Sequence, residues 1–247
     1  MAAKDLFSAH AKQYAAFRPD YPVALYEFIF QHLQDKKNAW DCATGNGQVA
    51  QYLAKYFGEV HATDISAQQL AEGVQHPNIH YQVCPAEQAT FPDDYFDLIT
   101  VAQALHWIDV DKFYTEVRRV GKKGALLAVW GYGLLDINTT IDPLIKHFYT
   151  NIVGPYWDSA RKLVDERYET IAFPFDEIGP GKFSIDVAWT LDHLAGYLET
   201  WSAARGYIQA HQQNPVTPLI LKLRNYWKED EVKTISFPIF IRLGKIQ

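Results

Sequence analysis

The chain has 247 residues, is 48% hydrophobic and carries a formal net charge of −6. That length suits one α/β domain with insertions and a sizeable core, and the acidic balance excludes general nucleic-acid binding, which wants a basic face. The two cysteines, Cys42 and Cys84, sit in apolar runs and read as buried free thiols. With no apolar leader and no apolar span of about 18 residues, the expected setting is a reducing cytoplasm with no membrane segment.

Val23, Leu25, Phe28, Ile29 and Leu33 recur at helical spacing and predict a helix over 22–34. From there strands and helices alternate. Strand 39–43 leads to helix 46–56, and strand 59–63 to helix 66–73, with Ser66 as its N-cap. Strand 79–84, the turn at Asp93-Asp94 and strand 96–101 follow. Helix 111–120 leads through Gly121-Lys122-Lys123-Gly124 into strand 125–130. This rhythm predicts a parallel, doubly wound Rossmann-like sheet with helices on both faces, seven strands in all. Its ligands are expected at the carboxyl ends of the strands.

After Trp130 the rhythm changes. Residues 131–180 read as an inserted helical lid with pieces around 139–151 and 159–169. A strand is expected near 182–188, a helix over 190–204, another from Pro215 to about 228, and a final strand over 232–242. One domain is predicted: an N-terminal helical cover over 1–37, a cofactor-binding core over 38–130, the lid over 131–180, and a C-terminal half of the sheet over 181–247.

The run Asp41-Cys42-Ala43-Thr44-Gly45-Asn46-Gly47-Gln48 reads as strand, glycine turn and helix start. Asp64 ends the next apolar run, roughly 20 residues on, where a carboxylate suits the hydroxyls of a nucleotide ribose. The dinucleotide fingerprint would place a third glycine where Ala50 stands. Asp41 at the strand end would repel a pyrophosphate and attract a cation. S-Adenosylmethionine, with a sulfonium, an amino group and no phosphate, fits this turn better than NAD does. A tight turn with no ligand is the plain alternative.

Taken in order, Asp41 to Gly47, Asp64, Ala86-Glu87 and Asp97 to Trp107 resemble the successive motifs of class I S-adenosylmethionine-dependent methyltransferases of type 11. Arg18-Pro19-Asp20-Tyr21-Pro22, Ala102-Gln103-Ala104-Leu105-His106-Trp107, Pro155-Tyr156-Trp157 and Thr200-Trp201-Ser202-Ala203 resemble the trans-aconitate methyltransferase-like branch. The resemblance implies methyl transfer to a small molecule, with S-adenosylhomocysteine as product and no metal.

It also implies roles. Asp41, Ala43, Gly45 and Gly47 would hold the methionine end, and Asp64 the ribose. Ile65 would pack on the adenine, whose edge Ala86 and Glu87 would read. Ala102 and Gln103 would lie beside the sulfonium, with Tyr14 and Arg18 closing over the cofactor. His106 and Trp107 would face the acceptor, joined by Tyr156, Trp157, Trp201 and Arg205. A glycine is usual where Ala43 stands, so its methyl narrows the room for the methionine end.

Plainer readings stand beside these. Glu87 could be a solvated loop carboxylate, and His106 a core histidine and not a base. Asp97 reads as structural, and Lys122-Lys123 as a solvated loop. Arg161, Arg167 and Arg205 could meet a carboxylate acceptor or lie on the surface. The resemblance alone points to a carboxylic acid as the acceptor. A non-catalytic S-adenosylmethionine-binding protein and an NAD(P)-dependent oxidoreductase remain as alternatives. A monomer or homodimer is expected, with no nucleic acid and no membrane as partner.

Overall fold

In the computed structural model the described residues are 19–179 and 181–247. Tyr14 and Arg18, and with them the first 18 residues of the expected N-terminal cover, lie outside these. Eight strands form one sheet: β1 Asn38–Cys42, β2 Glu59–Asp64, β3 Ile79–Val83, β4 Phe96–Ala102, β5 Gly121–Tyr132, β6 Asp176–Ile178, β7 Phe183–Trp189 and β8 Lys233–Lys245. Their order is β3-β2-β1-β4-β5-β8-β6, with β7 also against β8. The first five are mutually parallel. β8 runs antiparallel to β5, β6 and β7.

Seven strands were expected and the sheet has seven columns. The extra strand arises at the edge, where β6 pairs with Leu243–Lys245 and β7 with Lys233–Ile239 of the same β8. Residues 133–175, most of the stretch expected as a lid, fall between β5 and β6.

The helices are α1 Val23–Phe30, α2 Gln48–Leu53, α3 Ala67–Ala71, α4 Val110–Val120, α5 Asp142–His147, α6 Arg161–Asp165, α7 Leu191–Glu199, α8 Ser202–His211 and α9 Val216–Leu223. Side chains of a strand alternate between faces, and β5 shows what that does here. Leu126, Ala128 and Trp130 join one apolar cluster with Leu25 of α1 and Leu53 of α2. Leu127 and Val129 join another with Phe113 and Val117 of α4. A sheet covered on both faces needs such continuous apolar strands, and β4 is buried along Phe96–Val101.

Local chemistry sets the boundaries. The Ser66 hydroxyl caps α3, accepting from Gln69 N–H at 3.2 Å. The helix expected over 190–204 is two, because Trp201 takes an extended backbone (ψ 132°) between α7 and α8. Lys122-Lys123 lies within β5 and not in a loop. The pairing jumps from Phe96↔Gly121 to Leu98↔Leu126, a bulge that Gly124 allows with φ +82°. Lys122 Nζ then reaches Asp97 Oδ1 at 2.5 Å, while Asp97 Oδ2 accepts from the N–H of Lys37 and Asn38 at 2.9 Å each. Asp97 is thus structural, tying three segments at the amino end of the sheet, opposite the site. Among the described residues no helix is long and apolar enough to cross a membrane.

Candidate active site: two joined cavities

The turn after β1 is built on three left-handed residues, Ala43 (φ 54°), Gly45 (φ 59°) and Gly47 (φ 81°). Left-handed backbone is easy for glycine and costs other residues about 1 kcal/mol or more. The consequence of Ala43 is therefore conformational strain before it is crowding of a ligand. Gly47 is needed twice over, since a Cβ there would stand 2.2 Å from the Tyr81 hydroxyl oxygen.

Asp41 is 1% exposed and spends its oxygens on the turn. Its carboxylate accepts from Thr44 Oγ1, from Thr100 Oγ1 at 2.8 Å and from Ala50 N–H at 3.1 Å. Burial pushes its pKa up to about 6, against the lowering effect of those bonds. Asp64 closes the turn from β2. Its oxygens accept from Gly45 N–H and Ser66 N–H, both at 2.9 Å.

Above the turn lies a cavity of about 190 Å³. Asp41, Ala43 and Gly45 line its floor, Asp64 and Ile65 one side. Ala86, Glu87, Ala102 and Gln103 line it as well. Gly47 is not in the wall; it starts α2 behind it. Glu87 sits half-buried in a turn, its Oε1 accepting from Asp109 N–H at 2.8 Å, at the start of α4. Gln103 is itself left-handed (φ 54°), with its N–H on Trp130 O at 2.8 Å and its Nε2 donating to Tyr132 O at 3.2 Å. Non-glycine strain of this kind gathers where a site imposes it.

The charge of the wall is one-sided. Among the described lining residues are three carboxylates, Asp41, Asp64 and Glu87, and no Lys, Arg or His. Such a wall attracts a cation and repels a pyrophosphate.

A second cavity of about 60 Å³ adjoins it, and the two share Gln103, Trp107 and Tyr132. His106, Trp157 and Trp201 line the second cavity, as expected acceptor-side residues. Tyr156 and Arg205 do not. Tyr156 instead turns to α8, its hydroxyl 2.5 Å from His211 Nε2 and its ring 5.4 Å from that of Tyr207. Arg205 lies a turn along α8 beyond Ser202, the last residue of α8 in the wall.

His106 is poorly suited to be a base. Burial, and then the Arg161 charge, lower its pKa to about 3, far from the operating range a proton acceptor needs. Its Nδ1 is 2.8 Å from the Tyr168 hydroxyl.

The sequence missed Tyr21, Gln69 and Tyr132 in the first wall and left Arg161 undecided in the second. Tyr132 could have been found by extending β5 by two residues to its carboxyl end. Arg161 carries no sequence signal. Its place is set by packing, with the guanidinium 5.0 Å from the Trp157 ring centre and 5.6 Å from that of Tyr149.

Comparisons with known proteins agree with this geometry. The profile of a methyltransferase domain family matches residues 40–129. A Dictyostelium discoideum protein provisionally named a methyltransferase is 31% identical over 98% of this chain and 95% of its own length. A solved structure from Anaeromyxobacter dehalogenans, provisionally named a type II methyltransferase, superposes with a TM-score of 0.87 at 34% identity, covering 93% of this chain and 98% of the other. In fold alone, a Haemonchus contortus phosphoethanolamine N-methyltransferase, solved with phosphomonomethylethanolamine and S-adenosylhomocysteine, gives a TM-score of 0.51 at 16% identity, over 100% of this chain and 61% of its own.

Proposed function

The chain belongs to the class I S-adenosylmethionine-dependent methyltransferases, and we propose that it moves a methyl group from that cofactor, in the acid-lined cavity, to a small molecule in the aromatic one. The single observation that carries this reading is the wall of three carboxylates without a basic side chain, opening at Gln103, Trp107 and Tyr132 into a second, smaller cavity. An NAD(P) cofactor would set its phosphates against those carboxylates, which disfavours the oxidoreductase alternative.

The donor set suits S-adenosylmethionine. Asp64, held at the end of β2, would present its carboxylate to the ribose hydroxyls. Ile65, 42% exposed beside it, offers an apolar surface to the adenine. Glu87 and the main chain of Ala86 would meet the adenine edge. Asp41 would act on the amino group mainly as a buried charge, since three donors already hold it. Ala102 and Gln103 close the end nearest the second cavity.

When bound, the cofactor supplies a methyl group already activated by a sulfonium, so the protein's task is alignment and exclusion of water. Trp107 and Tyr132, in both walls, would set the acceptor's approach. The volume of the second cavity supports a small acceptor, and a carboxylic acid is the class the sequence resemblance suggests.

Calorimetry with S-adenosylhomocysteine and with NAD tests the cofactor. Saturable heat with the first only is expected, and the reverse result would sink the reading. A screen of small acids, phenols and amines for S-adenosylhomocysteine release then tests turnover. Tight cofactor binding with no acceptor across all three classes would favour a non-catalytic binding protein instead.

A further inference from the structure

Tyr168 is fully buried and meets His106, a residue of the second cavity's wall. Its hydroxyl lies beside the main chain of Leu105 and His106. Leu105 and His106 open the single turn Leu105–Trp107. The phenol has one hydrogen to give, and His106 Nδ1 lies 2.8 Å away. A neutral imidazole that accepts at Nδ1 carries its proton on Nε2. The arrangement is held firmly. Arg167 (φ 55°) and Tyr168 (φ 57°) are consecutive left-handed residues, and Arg242 Nη1 donates to the carbonyls of Tyr168 and Ile171 at 3.2 and 2.5 Å. Such strain persists only where the surroundings impose it.

Arg161 reaches the same cavity from the insert. Its Nε donates to Tyr149 Oη at 2.8 Å and pairs with Asp165 at 3.4 Å. Its hydrogen bonds to described residues thus run through Nε, which leaves the two terminal nitrogens for what enters. Asp158 is the one carboxylate among the described residues of this wall.

We propose that Arg161 and His106 form an anion-recognition subsite, in which the Nη pair and the His106 Nε2–H together hold a carboxylate of the acceptor between Trp107, Trp157 and Trp201. This deepens the methyl-transfer reading and rests on it for the word acceptor. A guanidinium fork matches a planar carboxylate, and a neutral N–H donor beside it adds a bond without a second charge to desolvate. His106 is then a positioning residue and takes no proton. The atom that receives the methyl belongs to another part of the acceptor, near Gln103 and Tyr132 where the cavities join.

Nitrogen NMR of the full chain labelled in its histidines tests this, with His106 identified by the signal lost in His106→Gln. One neutral ring in the Nε2–H form is expected, unchanged from about pH 5 to about pH 8. Benzoate is the probe, and benzamide its uncharged match in shape. Benzoate should shift the His106 signals about tenfold more tightly than benzamide, the ratio that loss of one charge-assisted bond removes. Arg161→Gln should level the two probes, and Tyr168→Phe should mix the tautomers. An Nδ1–H or protonated ring, equal binding of the probes, or no response to either overturns the subsite. The titrations are run with and without S-adenosylhomocysteine. Failure of that cofactor to bind, with the benzoate preference intact, would count against the methyl-transfer reading and not against the subsite.

Discussion

The two cavities share Gln103, Trp107 and Tyr132 yet are built in different ways. The first takes its wall mostly from strand ends and the turns that leave them, between Asp41 and Ile108, and its charge from carboxylates that also tie the turns together. The second takes side chains from places far apart in the chain, at His106, Trp157, Arg161 and Trp201, and its charge from an arginine stacked on rings. Backbone bent to a special shape demands particular residues, whereas an aromatic pocket accepts many. Replacements in the first cavity should therefore act on the cofactor and the fold together, and replacements in the second on the acceptor alone.

Asp41 gives the sharpest contrast. Burial lifts its pKa from the usual carboxylate range near 4 to about 6, a shift worth about 3 kcal/mol. Folding favours its protonated form. The stability it contributes is full below about pH 4 and is lost as pH rises through about 6. Asp41→Asn stays uncharged throughout, so its stability relative to the wild type should rise by up to about 3 kcal/mol between about pH 4 and pH 7. Denaturant unfolding at the two pH values measures this, and a difference independent of pH would refute the burial account. Affinity for S-adenosylmethionine should drop in the same variant at neutral pH.

Asp64→Ala strips the partners from two main-chain N–H groups and the ribose at once. A loss of about 100-fold in S-adenosylhomocysteine affinity is expected, near 3 kcal/mol. Unchanged calorimetric affinity would remove Asp64 from the ribose. Trp157→Ala should raise the acceptor KM about tenfold while leaving S-adenosylhomocysteine affinity within about twofold. A comparable loss in both would erase the distinction between the cavities.

The smallest effect belongs to Ala43→Gly. Relief of the left-handed strain outweighs the added freedom of the unfolded chain by about 0.5 kcal/mol, read as a rise in Tm with cofactor affinity kept. A lower Tm would mean that the alanine methyl packs better than its φ of 54° costs.

The parallel half of the sheet was legible because its strands are continuous apolar runs and its helices carry spaced apolar faces. Asp41, Gly45 and Asp64 were legible because a strand-to-helix turn constrains residue type. The split edge was not, since three residues at Asp176–Ile178 give no periodicity to read. Nor was the break at Thr200-Trp201, where the apolar pattern of α7 runs on into α8 and aromatic contacts set the bend. Trp201 packs 6.0 Å from Phe148 and 5.5 Å from Trp157, rings of the insert. His106 was visible as a residue, but its character depends on Tyr168 and Arg161, more than 50 positions away in the chain. Long-range burial of this kind leaves no local mark.

The place of β8 in the sheet has a consequence for how the protein is made. It is the last of the described strands, yet it lies between β5 and the edge shared by β6 and β7. A growing chain can pair its five parallel strands early and raise the frame of the cofactor cavity. The insert, β6 and β7 must wait for a neighbour that emerges after them. Until then the β5 edge stays open, a template for pairing with any other strand. Pulsed hydrogen exchange during refolding should find the amides of β1, β2 and β4 protected before those of β7, and the interval between the two is when the nascent protein most needs a chaperone.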